Sequence, residues 1–412
     1  MAITAAQLQA AFKAYYAGQA IQNLTFGKKS RPFLNALMAT RDEGFEGDDY
    51  PVPVVYEDVG GGSNTFATAQ ANAAAPALAT FHADVAKYYR VVQIETVALR
   101  KAKSDKGSFL RTQFLKTDSA LNALANDLEK SLFRKSSGAL GVIDATTTIT
   151  STSIVLTNVA DAKNFAVNDV LVAAANVTSS LRSATGNRVA AVNKITGTLT
   201  MDTEGDNGSP DLGWVVGDSL FRMGDYVSSS DTLHLNGLQD FIPDTVASND
   251  SFQGVNRFPD RQRLAGTVYA GSLTDIEYSI YQCLSQMADQ SEAEPDTLFC
   301  NNDLAALLAK ELNLNVQRNP QDGKAGMGPM TILGPRGPLS VQPATFCPPN
   351  MAFVLPMDAM KLISLGMTVG IFDDDGTPLL RQTAADAVEV RAVSYPQLTC
   401  SRPAHLGKIN FT

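Results

Sequence analysis

The sequence predicts an α+β protein with a basic N-terminal arm, an extended β-hairpin arm, a long helix, a mixed α/β domain and a small inserted all-β domain. Three observations predict it. About 20 unpatterned residues join two β-type runs, Tyr50–Glu57 and Phe81–Thr96. An apolar stripe at helical spacing runs through 105–136. Across 140–226 the composition turns Thr-rich and β-branched, with turn signals at short intervals.

Each element follows from local chemistry. Leu8, Ala11, Phe12, Tyr15 and Tyr16 place a helix over 5–24, and Gly18 and Gly27 break the pattern. The arm occupies 45–95. Pro51 and Pro53 cannot donate to a ladder, so the first run is an edge strand. Gly60-Gly61-Gly62 marks a flexible tip, followed by Ala- and Asn-rich sequence to Thr80. Ordering 20 residues costs roughly 20–40 kcal/mol of backbone entropy. Offsetting that needs on the order of 1,000 Å² of apolar burial. A protruding arm does not find this area on its own subunit, so the segment is either disordered or, if ordered, covered by a neighbour.

The segment 96–139 carries the most regular helix, with Leu121, Leu124, Leu128 and Leu132 as its stripe and Gly138 at its stop. Its length is about 40–45 Å at 1.5 Å per residue. Within 140–226, short strands are expected at Val170–Ala173, Arg188–Ile195, Thr198–Met201 and Ser219–Met223, forming a barrel or a sandwich. Residues 227–385 return to α/β. Thr274-Asp275-Ile276-Glu277 reads as a capping box. Asn302 is placed to cap a second helix after the strand Thr297–Cys300. Strands follow near Thr331–Leu333, Leu339–Val341, Ala352–Leu355 and Lys361–Leu365, and the stretch 386–412 closes the chain with another.

The chain has 412 residues, a net charge of −9 and 18% charged residues. That is below the roughly 25% usual for soluble domains, as expected of a surface partly covered by other protein. Charge is unevenly placed. Residues 1–41 carry +5 and residues 87–135 carry +6, leaving −20 for the remainder. Such asymmetry turns one face toward a polyanion; the alternative is pairing with acids elsewhere in the fold. No apolar run approaches the about 20 residues of a membrane span. The N-terminus lacks the pattern of a signal peptide. Cys283, Cys300, Cys347 and Cys400 are scattered, which suits buried free thiols in a reducing compartment. His82, His234 and His405 lack ligand spacing, so neither a metal nor a cofactor is expected.

One motif imitates an enzyme. Phe372-Asp373-Asp374-Asp375-Gly376-Thr377 fits the Asp-x-Asp-Gly-Thr pattern of a magnesium phosphatase, with Asp373 as nucleophile and Asp375 as general acid/base. Only 35 residues follow Thr377, with one lysine (Lys408) and no Asp-Asp pair to complete that site, so an acidic β-turn is the expectation. Gly60-Gly61-Gly62 lacks the Lys-Ser/Thr and helix start of a phosphate loop. No nucleophile–base constellation is found, and a non-enzymatic protein is expected.

The order of parts, with three local motifs, resembles the major capsid protein of tailed bacteriophages, the Hong Kong 97-type fold. Asn236-Gly237-Leu238-Gln239-Asp240-Phe241-Ile242-Pro243 resembles a Gly-Leu-x-x-(Phe/Leu)-Ile-Pro stretch of that family. Pro295-Asp296-Thr297-Leu298-Phe299-Cys300-Asn301 resembles its strand–Asn–helix element, and Ser394-Tyr395-Pro396-Gln397-Leu398 its C-terminal strand ending. The resemblance covers nearly the whole chain. It implies a shell subunit in which the spine helix (within 96–139) and the arm form a peripheral domain, and 227–385 an axial domain. Copies would form pentamers and hexamers of an icosahedral virion shell around double-stranded DNA, assembled in the host cytoplasm. A scaffolding protein and a portal protein would be partners. The β insertion would stabilise the subunit, contact neighbours or receive a decoration protein. The intersubunit arm residues would include Gly60, Gly61, Gly62, Phe66 and Phe81. Lys13, Lys28, Lys29, Arg31, Arg100, Lys101 and Lys103 would face the genome, making phosphate contacts without sequence readout. The rivals are an encapsulin-like compartment with protein cargo, the phosphatase of Asp373 and Asp375, and a β-rich tail protein.

Overall fold

The computed structural model describes residues 28–43, 45–96, 109–146, 149–150, 152–177, 179–202, 213–226, 234–315, 330–372, 380–382 and 385–412. The helix expected over 5–24, the polar loop near 317–328 and the acidic turn with Asp373 and Asp375 lie outside the described residues.

A short helix α1 (Pro32–Leu37) precedes the hairpin arm, which comprises β1 (Tyr50–Glu57), a one-and-a-half-turn helix α2 (Phe66–Ala71) and β2 (Ala77–Ala83). The connection expected to be patternless thus holds a helix. The run expected as one strand over 81–96 is two. β2 pairs with β1, and β3 (Tyr88–Glu95) belongs to another sheet. The break between them is held by tertiary contacts: Ala86 N–H donates to Pro396 O, and Gln397 Nε2 to Asp84 O. In the β1–β2 ladder Pro51 opposes His82, whose N–H points away to Gln253 O at 2.9 Å. Pro51 and Pro53 therefore occupy positions where no ladder donor is missed.

The spine helix α3 (Phe109–Phe133) is about 37 Å long. Leu124, Leu128, Leu132 and Phe133 are buried along it, and β3 packs against it. Next come β4 (Gly141–Val142), β5 (Ser153–Val155), β6 (Val170–Ala174), β7 (Asn187–Asn193), β8 (Thr198–Met201) and β9 (Ser219–Arg222). They form one antiparallel sheet in the order β4-β9-β6-β7-β8-β5. The Ile143–Leu156 bridge joins its two ends. The insertion is therefore a closed barrel, the solution that leaves no exposed edge. Ile154, Leu171, Val189, Leu199, Leu220 and Trp214 fill its interior.

The remaining chain holds α4 (Leu238–Phe241), α5 (Arg261–Ala265), β10 (Thr267–Gly271), α6 (Ile276–Ser291), β11 (Thr297–Cys300) and α7 (Asn302–Asn315). Strands β12 (Met330–Gly334), β13 (Gly337–Pro343), β14 (Met351–Leu355), β15 (Met360–Ser364), β16 (Gly370–Ile371), β17 (Leu380–Arg381), β18 (Ala387–Ser394), β19 (Pro396–Cys400) and β20 (Gly407–Phe411) follow. Six strands form a mixed sheet, β10-β20-β14-β11-β13-β12, with the C-terminal β20 inside it. Strand alternation sorts its side chains onto two cores. Leu298, Cys300, Ala352, Val354 and Ile409 face α6 and α7. Phe299, Phe353 and Leu355 face the spine helix. There Phe33, Phe133, Phe299 and Phe353 make ring contacts at 5.0–6.0 Å that join α1, the spine and the sheet.

Two helix starts depart from expectation. The Asp275 side chain accepts no capping hydrogen bond at α6; the N–H groups of Ile276 and Glu277 donate to the Glu311 carboxylate of α7, at 3.2 and 3.0 Å. At α7 the helix begins on Asn302, and Ala305 N–H bonds Asn301 O, so the capping position lies one residue earlier than expected.

Candidate intersubunit surface

The arm has an anchored base and an exposed tip. Val52, Val54 and Tyr56 alternate toward the main core, while Pro51, Pro53, Val55 and Glu57 face out. Arg263 of α5 clamps the base by donating to Tyr56 O at 2.7 Å and pairing with Glu57. Phe81, expected among the arm's intersubunit residues, is 3% exposed and packs edge-on against Phe252 of its own subunit. The reason is its parity. Position 81 opposes inward-facing Val52, on the face β2 turns to the core.

Beyond the base the chain closes on itself. Ala74 N–H donates to Gly60 O. Gly61 has φ +91°, and a Cβ there would lie 1.8 Å from Asn72 O, so this glycine is needed for both conformation and space. Gly60 and Gly62 need neither, since no φ constrains them and the nearest atom to their Cβ sites is a methyl at 3.6 Å or nothing. No residue of α2 is buried. Phe66 is presented outward, 82% exposed. Sequence reasoning missed its companions Val59, Val55 and Leu78, which are 57–69% exposed. Val55 and Leu78 are register partners, forming one apolar pair on the outer face. Their signal was parity: Val55 follows Pro51 and Pro53 on the outward side. Burying four such side chains stabilises a contact by roughly 1.5–3 kcal/mol each.

The genome-facing set divides. Lys13, Arg100, Lys101 and Lys103 lie outside the described residues, as does the side chain of Lys28. Lys29 is exposed. Arg31 is not on the surface: it is 4% exposed, and its Nη2 donates to Asn122 Oδ1 at 3.1 Å. It sits beside Glu129 of the spine helix, whose carboxylate receives the N–H groups of Phe33 and Leu34 at 3.2 and 2.7 Å. These two donors are among the unpartnered ones at the start of α1. Burial pushes the Glu129 carboxyl up to about 7, with those N–H groups and Arg31 pulling the other way. The charge expected to face outward thus serves as an internal anchor.

A charge cluster joins spine to barrel. Asp127 is 8% exposed and meets Arg90 Nε at 3.0 Å, Lys130 Nζ at 3.1 Å and Arg222 Nη1 at 3.4 Å. Burial alone would raise its carboxyl, but Lys130, Arg222 and Arg90 outweigh it and hold it well below the usual carboxylate range. Arg134 pairs with Asp161 of the barrel, and Lys130 also donates to Asn164 O at 3.1 Å. Positions 127, 130 and 134 share one helix face. Three of the eleven basic residues read in 87–135, Arg90, Lys130 and Arg134, are turned here toward the protein's own acids.

Asn236-Gly237-Leu238 passes directly over the end of the spine helix. A Cβ on Gly237 would stand 2.0 Å from Arg134 O and 2.3 Å from Ser131 O. The Asp240 carboxylate holds the crossing, accepting Ser136 N–H at 2.6 Å and Gly237 N–H at 3.3 Å. Burial raises its carboxyl to about 6. All four cysteines are buried. Among the described residues no group of three or more His, Cys, Asp or Glu is placed to hold a metal ion, and no helix is long and apolar enough to cross a membrane.

No protein-family model and no curated protein matches the chain by sequence. Solved structures match by fold. The capsid asymmetric unit of cyanophage A-1(L) superposes with a TM-score of 0.54 at 12% identity, covering 96% of each chain. The capsid of an empty GTA particle gives a TM-score of 0.50 at 10% identity, covering 100% of this chain and 99% of that one. Spine helix, hairpin arm, six-stranded mixed sheet and full-length superposition agree: the chain has the α+β fold of phage capsid subunits, the Hong Kong 97-type fold.

Proposed function

We propose that this protein is a non-enzymatic shell subunit that assembles with copies of itself into an icosahedral virion head enclosing double-stranded DNA. The observation that carries the reading is the arm. Its base is clamped by Arg263 and the core, while Phe66 of the wholly unburied α2, Val59 of the loop before it, and Val55 and Leu78 on the outer face of the strands are offered to solvent. A monomer gains nothing from an ordered apolar projection, whereas a neighbouring subunit buries it. Many such contacts per shell make individually weak ones sufficient. Pentamers and hexamers are the expected assemblies, with scaffolding, portal and decoration proteins as partners.

The test is to purify the chain and image it by negative-stain microscopy, alone and with residues 61–73 replaced by a Gly-Ser linker. Closed shells from the wild type and soluble monomers from the variant are expected. Shells from the variant at wild-type yield overturn the arm's role, and turnover of a phosphate ester by the wild-type protein overturns the non-enzymatic reading.

A further inference from the structure

We infer that the barrel is a hinged module: it swings against the rest of the subunit about Gly138 and Gly224, and ion pairs with the spine helix latch it in its observed position. The inference concerns the single chain and does not depend on the shell reading.

The chain passes between body and barrel twice, once between the spine helix and β4 and once after β9. Both crossings carry a glycine in the left-handed region, with φ +78° at Gly138 and +90° at Gly224. Glycine takes such angles without the steric penalty of a Cβ. A Cβ on Gly138 would lie 3.2 Å from Asp225 O, so the two crossings run side by side and make one pivot. The barrel's own backbone bonds flank it: Leu140 N–H donates to Leu220 O and Met223 N–H to Val170 O. Nothing lies within 4 Å of the Cβ site of Gly224. A few residues at the ends of elements, free to change φ and ψ, are what a hinge requires.

Barrel and body keep separate cores. Ile154, Leu171, Leu199 and Leu220 belong to one, and Leu124, Leu128, Phe133 and Phe299 to the other. Long charged side chains bridge them. Arg134 pairs with Asp161, and Arg222 Nη1 lies 3.4 Å from the Asp127 carboxylate. Lys130 Nζ donates to Asn164 O at 3.1 Å, and Lys163 Nζ to Cys347 O at 3.4 Å. Arg90, Asp127 and Arg222 form a wall shared by two clefts, of about 640 and 580 Å³. A rigid joint is packed to the density of a core; this one is a strut with open space against it. Water reaches Arg90 and Arg222, whose side chains are 30% and 21% exposed, so a swing solvates the cations it releases.

The experiment is double electron–electron resonance between nitroxides on Ile195→Cys of the barrel hairpin and Tyr278→Cys of α6, in the full chain diluted with unlabelled protein. Both positions are exposed, and the four native cysteines are buried. Arg134→Gln with Arg222→Gln releases the latch and is expected to widen the distance distribution about twofold over the unreleased chain. Arg182→Gln cuts an ion pair inside the barrel, with Asp218 at 2.8 Å, and should leave the width unchanged. Arg222→Gln alone leaves Asp127 with Arg90 and Lys130, and it is read in the same way should the double variant not fold. An unchanged width on release overturns the hinge. Equal widening in Arg182→Gln overturns it as well, because the barrel would then be loosening without its bridges being cut. Hydrogen–deuterium exchange supplies a second measurement: release should speed exchange at 138–140 and 223–225 while β6 and β8 keep their protection. Loss of protection in β6 and β8 would mark an unfolding barrel in place of a swinging one and would sink the inference.

Discussion

Gly237→Ala tests the packing of the whole body, because Gly237 is where the chain crosses the spine helix. The added Cβ would lie 2.0 Å from Arg134 O, 2.3 Å from Ser131 O and 2.9 Å from Leu132 O. Ordinary contact needs more than about 3 Å, and all three obstacles are backbone, so no side-chain rotation relieves them. Gly237 has φ −92°, so the demand is for space alone. The loop cannot simply lift. Leu235 and Leu238 are fully buried, Asn236 N–H donates to Gln397 Oε1 at 2.8 Å, and Asp240 ties both strands of the crossing together. A shift of about 1 Å would strain that core, at roughly 1–3 kcal/mol for overpacking. It would also weaken two or three hydrogen bonds at about 1 kcal/mol each. The expected loss is thus about 3–6 kcal/mol, a fall in Tm of roughly 6–24 °C at 2–4 °C per kcal/mol. Gly62→Ala, in open space at the arm tip, should change Tm by less than about 1 °C. Differential scanning calorimetry of the purified chain measures both. A Gly237→Ala protein melting within 1 °C of wild type would refute the crossing as described.

Three further outcomes follow from the electrostatics. Glu129 has a folded-state pKa raised from 4.5 to about 7, so the folded chain holds a proton there that the unfolded chain releases. Its contribution is complete below pH 4.5 and is lost as pH rises through 7, amounting to about 3 kcal/mol. The difference between wild-type and Glu129→Gln denaturation profiles should therefore grow across pH 4.5–7 and then level; parallel profiles would contradict it. Asp127→Asn leaves Arg90 and Lys130 without their carboxylate and should destabilise by about 3–5 kcal/mol in urea unfolding; a change below 1 kcal/mol would show that the cluster does not hold spine to barrel. Glu311→Ala uncaps α6 from a distance and should cost about 1–2 kcal/mol with accelerated amide exchange at Ile276 and Glu277; unaltered exchange there would remove the remote cap.

Much of the architecture was legible because it rests on periodicity. The leucine stripe of 121–132 marked the spine, and Pro51 and Pro53 marked an edge strand that pairs with β2 alone. Thr198–Met201 was read to the residue, because turn signals flank it on both sides. The candidate surface was less legible. Phe66 and Phe81 were both assigned to the intersubunit arm, yet Phe66 is exposed and Phe81 is buried in its own subunit. Strand parity separates them, and parity needs a register that composition does not contain. Arg31 was assigned to a surface from its charge, yet Asn122 and Glu129, about 90–100 residues away, bury it.

What the sequence by itself determined is the identity and order of the elements, since short-range patterns of apolar residues, prolines and glycines specify helix, strand and turn locally. Only the tertiary structure decided which charges are spent inside and which remain for partners. Glu129 and Glu311 cap helices to which they are not adjacent in sequence, Asp127 gathers cations from β3, the spine and the barrel, and Gly237 is required by carbonyls of another element. Each depends on a distance of a few ångströms between residues tens to a hundred positions apart. The linear chain leaves such distances open until burial of the apolar faces brings the elements together.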